Sequence, residues 1–302
     1  MTEALMIVVR TALVVFLLAN MLEMGLRLTV GQVWASLRNT RLVVGALVAN
    51  FVIAPLLAIV IAKVTRLEQP FAVGLLLLGL APGAPIIPKV VQMARGNVAF
   101  AVVLMALLMV GTVIGLPLLL PGVAEGAEVS AWKIAQPLLL LMILPLVVGL
   151  IVRARVPALP AWVCSALGSL SDLCGLLVVG LLLALNFKNV LGVFGTGAIL
   201  AGLLFALLTS LSGWLLGGPD QGTRAALGLG TGLRNVAAAL VIAAQNFDDP
   251  RVNVMVIVSA LVSFLILLPA AHLLGRRIVA DAVVATPTAP EIARVIKRPG
   301  SE

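Results

Sequence analysis

Charge is scarce in this chain. Only 11% of its 302 residues are charged, against 62% that are hydrophobic, whereas a soluble domain carries about a quarter charged residues. There is one histidine, His272, and no Cys/His cluster, so no zinc site, and no metal or other cofactor, is expected. The two cysteines, Cys164 and Cys174, stand ten residues apart on what reads as one helix. That is a rise of about 15 Å, too long for a disulfide between them, and small buried hydrophobes is their reading. No serine sits with a membrane-depth histidine or lysine base, and no paired carboxylates suit magnesium and a pyrophosphate. Intramembrane catalysis is therefore not expected, and the chain does not read as an enzyme. Short alternating strands, the mark of a barrel, are missing as well.

Long apolar runs fill the length instead. Nine can be drawn: 4–27, 41–63, 70–93, 97–120, 131–153, 159–185, 189–217, 222–246 and 251–278. Helices satisfy their own backbone groups in lipid, so the fold class is an all-α polytopic membrane protein of about nine spans. Short connections make 1–278 a single transporter-sized domain, and the polar, proline-bearing stretch 279–302 reads as a disordered cytoplasmic tail.

The +8 net charge does not call for a nucleic acid partner, because most basic residues flank apolar segments and act as orientation signals. One set of loops holds Arg27, Arg38, Arg41, Arg95, Arg153, Arg155, Arg224, Arg276 and Arg277. The other mixes Lys63, Arg66, Glu68, Glu125, Glu128, Lys133, Lys188, Asp248, Asp249 and Arg251. The basic set is expected on the cytoplasmic side, with the N-terminus outside and the C-terminus inside. The opening MTEALMIVVRTALVVFLLAN has no basic n-region and carries Arg10 in its apolar run, so it reads as a retained helix. A bacterial inner (plasma) membrane is the expected location.

Two segments differ from the rest. The third contains LAPGAPIIPK (80–89), with Pro82, Gly83, Pro85 and Pro88 close together. Each proline removes a donor and clashes with the preceding turn. The eighth contains GLGTGLRN (228–235), with Gly228, Gly230, Thr231 and Gly232 ahead of Arg234 and Asn235. Broken helices at matching places in two halves point to a secondary transporter's binding site, where freed backbone groups face a cavity or ligand.

Four stretches together resemble the bile acid:sodium symporter family: APGAPIIPKVVQMARGNVAFAV (81–102), GTGLRNVAAAL (230–240), EMGLRL (23–28) and NFVIAPLLA (50–58). The likeness runs from about residue 17 to 278 and fits the nine-helix members. It implies two inverted repeats, a panel and a core subdomain, crossing broken helices, and alternating-access transport of organic anions driven by sodium. The positions matching the family's sodium ligands hold Asn50, Ile87, Pro88, Ala101, Met105, Gly230 and Arg234 here. Asn50 alone keeps an amide; the glutamate has become Gly230 and the glutamine Arg234. A hard cation wants oxygen ligands, which Ile, Ala and Met do not supply.

Fixed cations in place of mobile ones is the resulting expectation. Arg234 at the second break, with Lys89 closing the first, would supply the positive charge and bind a carboxylate. Asn235, Asn50, Asn20 and Thr231 are further candidates for the substrate path. Glu23 and Asp172, both at membrane positions, are alternatively ion-pair partners of Arg234 or proton carriers, although Glu23 is one turn from Arg27 and well placed to pair with it. The expected function is a secondary active transporter or facilitator of small or amphipathic organic anions, the partners being that anion and the bilayer. A sodium- or proton-coupled symporter using backbone carbonyls or Glu23 and Asp172, and a transporter-like sensor, are the alternatives. Oligomeric state is open.

Overall fold

The computed structural model describes residues 2–29, 31, 38–123, 131–156, 160–185 and 192–285. Glu125, Glu128, Lys188 and the tail from residue 286 onward lie outside the described residues. Secondary structure among the described residues is helical, apart from one isolated antiparallel bridge between Pro82 and Arg234.

The helices follow the apolar runs in order. They are α1 (Thr2–Arg27), α2 (Thr40–Val64), a broken pair α3 (Gln69–Leu80) and α4 (Ile87–Met93), then α5 (Val98–Val123). Next, α6 begins as Ala131–Leu138 and runs through a π turn, Leu139–Ile143, into Leu144–Arg155. It is followed by α7 (Ala161–Leu185), α8 (Ala198–Leu216), a second broken pair α9 (Gln221–Gly232) and α10 (Val236–Asn246), and α11 (Pro250–Ala285). Among the described residues, six of these are long and apolar enough to cross a bilayer. The protein is a polytopic helical membrane protein. Leu118, Leu173, Leu215 and Leu265 point outward, exposed; lipid tails are the solvent for such a surface.

Polar side chains start the helices that follow sharp turns. Asn39 accepts from the Leu42 amide, Asn97 from Phe100 and Asp220 from Thr223, at 3.3, 2.9 and 2.8 Å, each satisfying an N-terminal donor that has no partner within its helix. A π turn, Ala49–Ile53, widens α2 just ahead of Pro55, and the π turn of α6 stands in the same relation to Pro145. Proline has no amide to donate and its ring crowds the carbonyl four residues back; a wider turn relieves both.

α1 is laid along α7 and α6, a group called the panel below, while α2–α5 and α8–α11 pack together as the group called the core; α6 also meets α5 and α10 of that group. In the panel, α1 and α6 cross at glycines: a Cβ on Gly25 would lie 2.9 Å from the Gly149 Cα and would collide with the Leu146 carbonyl oxygen. Close approach at small residues is how helices associate in lipid, where apolar burial supplies no drive.

Some expected boundaries move. The last helix continues past 278 to Ala285. Gly230 and Gly232 are helical rather than part of the second break, which is Leu233–Asn235. Their small size serves packing: a Cβ on Gly232 would come within 2.7 Å of Leu267 Cδ1 and 2.9 Å of the Ser210 hydroxyl. Pro88 lies in the first turn of α4, where a missing amide costs nothing.

Candidate functional site

The first break is set by Pro82 and Gly83. Gly83 has φ +89, and a Cβ there would sit 2.8 Å from the Met109 amide nitrogen, so only glycine fits. Ending α3 at Leu80 strips its last carbonyls of helical partners. Their acceptance is taken up across the crossing. The Ala81 carbonyl accepts from the Asn235 amide at 2.8 Å, and that of Pro82 from the Thr112 hydroxyl at 2.8 Å. Leu78 and Gly79 offer their oxygens to Arg234.

Arg234 is therefore caged. Its Nε donates to the Leu78 carbonyl at 2.8 Å, its Nη1 to Asn50 Oδ1 at 2.8 Å and to the Thr231 carbonyl at 3.1 Å, and its Nη2 to the Gly79 carbonyl. The guanidinium lies over the Phe205 ring, 5.8 Å from its centroid, within cation–π range. It is 5% exposed. Leu78, Gly79 and Thr231 lie in the final turns of α3 and α9, whose C-terminal ends carry partial negative charge. A positive group is what such a pair of ends holds best. The alternative pairing of Arg234 with Glu23 or Asp172 is not made; neutral oxygens surround it.

Asn50 and Asn235 are fully buried and complete the crossing. Asn50 Nδ2 donates to the Thr231 hydroxyl at 3.1 Å and the Ala46 carbonyl at 3.0 Å, so one amide ties α2 to α9 and to Arg234 together. Asn235 caps α10 by accepting from Ala238 at 3.0 Å.

Beside this cage, the other positions of the expected ion ligands are filled with hydrocarbon. Ile87, Ala101 and Met105 are buried, and so is Leu104. A Cβ on Gly230 would come 2.9 Å from Leu104 Cδ2 and 3.5 Å from Ile87 Cγ2.

A cavity of about 720 Å³ lies between panel and core, floored in part by Phe16, Met105, Leu240 and Phe264. It is mostly apolar. Its charged lining residues are Glu23, Arg27, Lys89, Asp172 and Arg234, three cations against two anions. Glu23 accepts from Arg27 Nε at 2.8 Å on α1, as their spacing suggests. Lys89 Nζ donates to Asp172 at 2.7 Å. Asn20 also borders the cavity, and its amide donates to Ser171 at 3.0 Å. Thr112, Phe205, Ser171 and Leu104 went unmarked in sequence, because nothing local distinguishes a threonine or leucine that meets another helix at the crossing.

Away from the membrane interior, Asp249 sits in the turn before α11. Hydrogen bonds from the Arg251 side chain hold its carboxylate below the usual range, against a smaller opposing effect of burial. Arg251 also bridges to Glu68 at 2.6 Å.

Interrupted helices crossing inside a polytopic bundle, beside a cavity lined from both groups of helices, define the class: a broken-helix membrane protein with the architecture that secondary transporters use. The Sodium Bile acid symporter family model matches residues 14–193, and the chain belongs to that family. It is similar to the probable sodium/metabolite cotransporter BASS1, chloroplastic, of Arabidopsis thaliana, with 28% identity over 82% of this chain and 62% of that protein. It is similar also to BASS2, chloroplastic, of Oryza sativa subsp. japonica, at 27% over 78% and 57%. BASS3, chloroplastic, of Arabidopsis thaliana matches at 25% over 74% and 54%. The chain thus spans 54–62% of the length of these relatives.

Proposed function

We propose that the protein carries amphipathic organic anions across a membrane by alternating access, with Arg234 as a built-in cation where relatives named as sodium cotransporters would use a mobile one. The caging of Arg234 by the carbonyls of Leu78, Gly79 and Thr231 and by Asn50 carries this reading. Those oxygens are the kind that unwound segments and half-helix ends offer to a transported sodium ion. Here a tethered guanidinium takes them, and hydrocarbon from Ile87, Leu104 and Met105 occupies the neighbouring volume.

Arg234 then contributes positive potential at the cavity edge rather than a two-pronged grip on the substrate, since four donor contacts are already committed. The substrate class follows from the cavity. Its apolar walls suit a hydrophobic body, its volume suits a ligand of drug size, and the one net positive charge on its lining suits a monoanion. Glu23 and Asp172 each hold a cation in place, which favours charge balance over proton carriage as their role. The location we assign is a plasma membrane, with the basic loops cytoplasmic.

The test is uptake of a panel of amphipathic carboxylates and sulfonates into proteoliposomes under sodium, potassium and a pH step. Uptake independent of sodium and lost in Arg234→Gln is the expected result. Uptake that needs sodium would overturn the built-in cation.

A further inference from the structure

We infer that Lys89 and Asp172 form a latch between panel and core, which an incoming substrate anion opens by taking Lys89 for itself. This rests on the carrier reading above. Lys89 belongs to α4 of the core and Asp172 to α7 of the panel, 83 positions apart. Their Nζ and Oδ2 atoms stand 2.7 Å from each other, with side chains 60% and 62% exposed. Both line the cavity.

Exposure decides what such a pair can do. Both side chains open onto the cavity they line, and in the water that fills such a cavity in a carrier an ion pair adds little net stability, so a competing carboxylate exchanges with Asp172 at little cost. The other two cations of the cavity are placed differently. Arg27 pairs with Glu23 on its own helix, so binding there joins or frees nothing between units. Arg234 is buried among neutral oxygens. Lys89 alone among the lining cations spans the two units through its partner and stays open to the cavity.

The exchange breaks no covalent bond. The substrate anion accepts the Lys89 hydrogen bond, and Asp172 is released into the cavity. The salt bridge tying α4 to α7 is thereby undone by substrate and by nothing uncharged of the same shape. A neutral analogue fills the apolar walls but leaves the latch shut. The device couples occupancy to the freedom of panel and core to move, and it sets a preference for anions.

The experiment uses the full chain in lipid nanodiscs, with Cys164→Ser and Cys174→Ser, and fluorophores at Arg155→Cys on the panel and Gln221→Cys on the core. Single-molecule energy transfer is recorded with no ligand, with cholate, and with the neutral amide of cholate. In the empty protein, Asp172→Asn should shift the distribution, and the charge swap Lys89→Asp with Asp172→Lys should restore it. Cholate should reproduce the Asp172→Asn shift in wild type, and the amide should not. Removing the internal competitor should also tighten cholate binding about threefold in Asp172→Asn, while Lys89→Gln weakens it about tenfold.

An empty-protein distribution unmoved by Asp172→Asn overturns the latch. A shift in Asp172→Asn with no tightening of cholate binding overturns the exchange. Neither result touches the carrier reading, which fails separately if wild-type proteoliposomes take up none of the anion panel.

Discussion

Asn50 Oδ1 accepts a hydrogen bond from Arg234 Nη1 at 2.8 Å, while the same amide donates to Thr231 at 3.1 Å. One side chain on a π turn thus holds both the buried Arg234 guanidinium and the half-helix that precedes it. The two contacts differ in kind: one is charge-assisted, the other joins neutral groups.

Asn50→Ala and Thr231→Val should separate them. Losing the acceptor of a buried guanidinium is expected to cost about 1.5–3 kcal/mol. Losing the neutral interhelical bond should cost about 0.6 kcal/mol, the average for such bonds in membrane proteins. Steric-trapping measurements of unfolding in bicelles give both values. Equal losses would mean that the guanidinium gains nothing special from Asn50.

Sodium dependence should be restorable. Arg234→Gln with Gly230→Glu reinstates the oxygen-bearing pattern of the family resemblance, but a Cβ at 230 already comes 2.9 Å from Leu104 Cδ2. The double variant, which lacks Arg234, is therefore expected to take up no anion in sodium or in potassium, and adding Leu104→Ala should open room for the carboxylate and bring back anion uptake in sodium only. Proteoliposome uptake in sodium against potassium reads this directly. Sodium stimulation in the double variant alone would show that Leu104 does not guard the volume.

Gly83 should tolerate no side chain. Its φ of +89 and the 2.8 Å approach of the Met109 amide nitrogen predict that Gly83→Ala loses more than the about 1–3 kcal/mol of backbone strain alone. Gly180, with nothing within 4 Å of its would-be Cβ, is the control, and Gly180→Ala should be neutral or mildly stabilising in the same helix-rich setting. Thermal unfolding in detergent compares the two.

The Asp249–Arg251 contact should be lost in acid. The folded carboxylate lies below its ordinary value because Arg251 hydrogen-bonds to it. A group depressed on folding contributes stability above its unfolded pKa, about 3.9, and loses it as pH falls through the folded value. Between pH 6 and 3 the melting temperature of wild type should therefore fall more than that of Asp249→Asn. Identical slopes would show that the contact carries no stability. The difference will be small, because the pair is partly solvated.

Much of this protein was decided within short windows of its sequence. Runs of apolar residues long enough for a bilayer marked nine segments, because burial in lipid depends on composition and length alone. Pro82 and Gly83 broke the third segment, because a missing amide and a positive φ act on the nearest turn. Arg234 stood out because a cation at membrane depth is costly wherever it occurs. Tertiary structure decided the rest. The glycines at 230 and 232 looked like a break and turned out to be packing surfaces, since glycine permits both and only the neighbouring Leu104 and Leu267 distinguish them. Arg234 found carbonyls and Asn50, 184 residues away, rather than a carboxylate, and Asp172 went to Lys89. Partners so distant along the chain are chosen by how helices pack, and no local propensity encodes that choice.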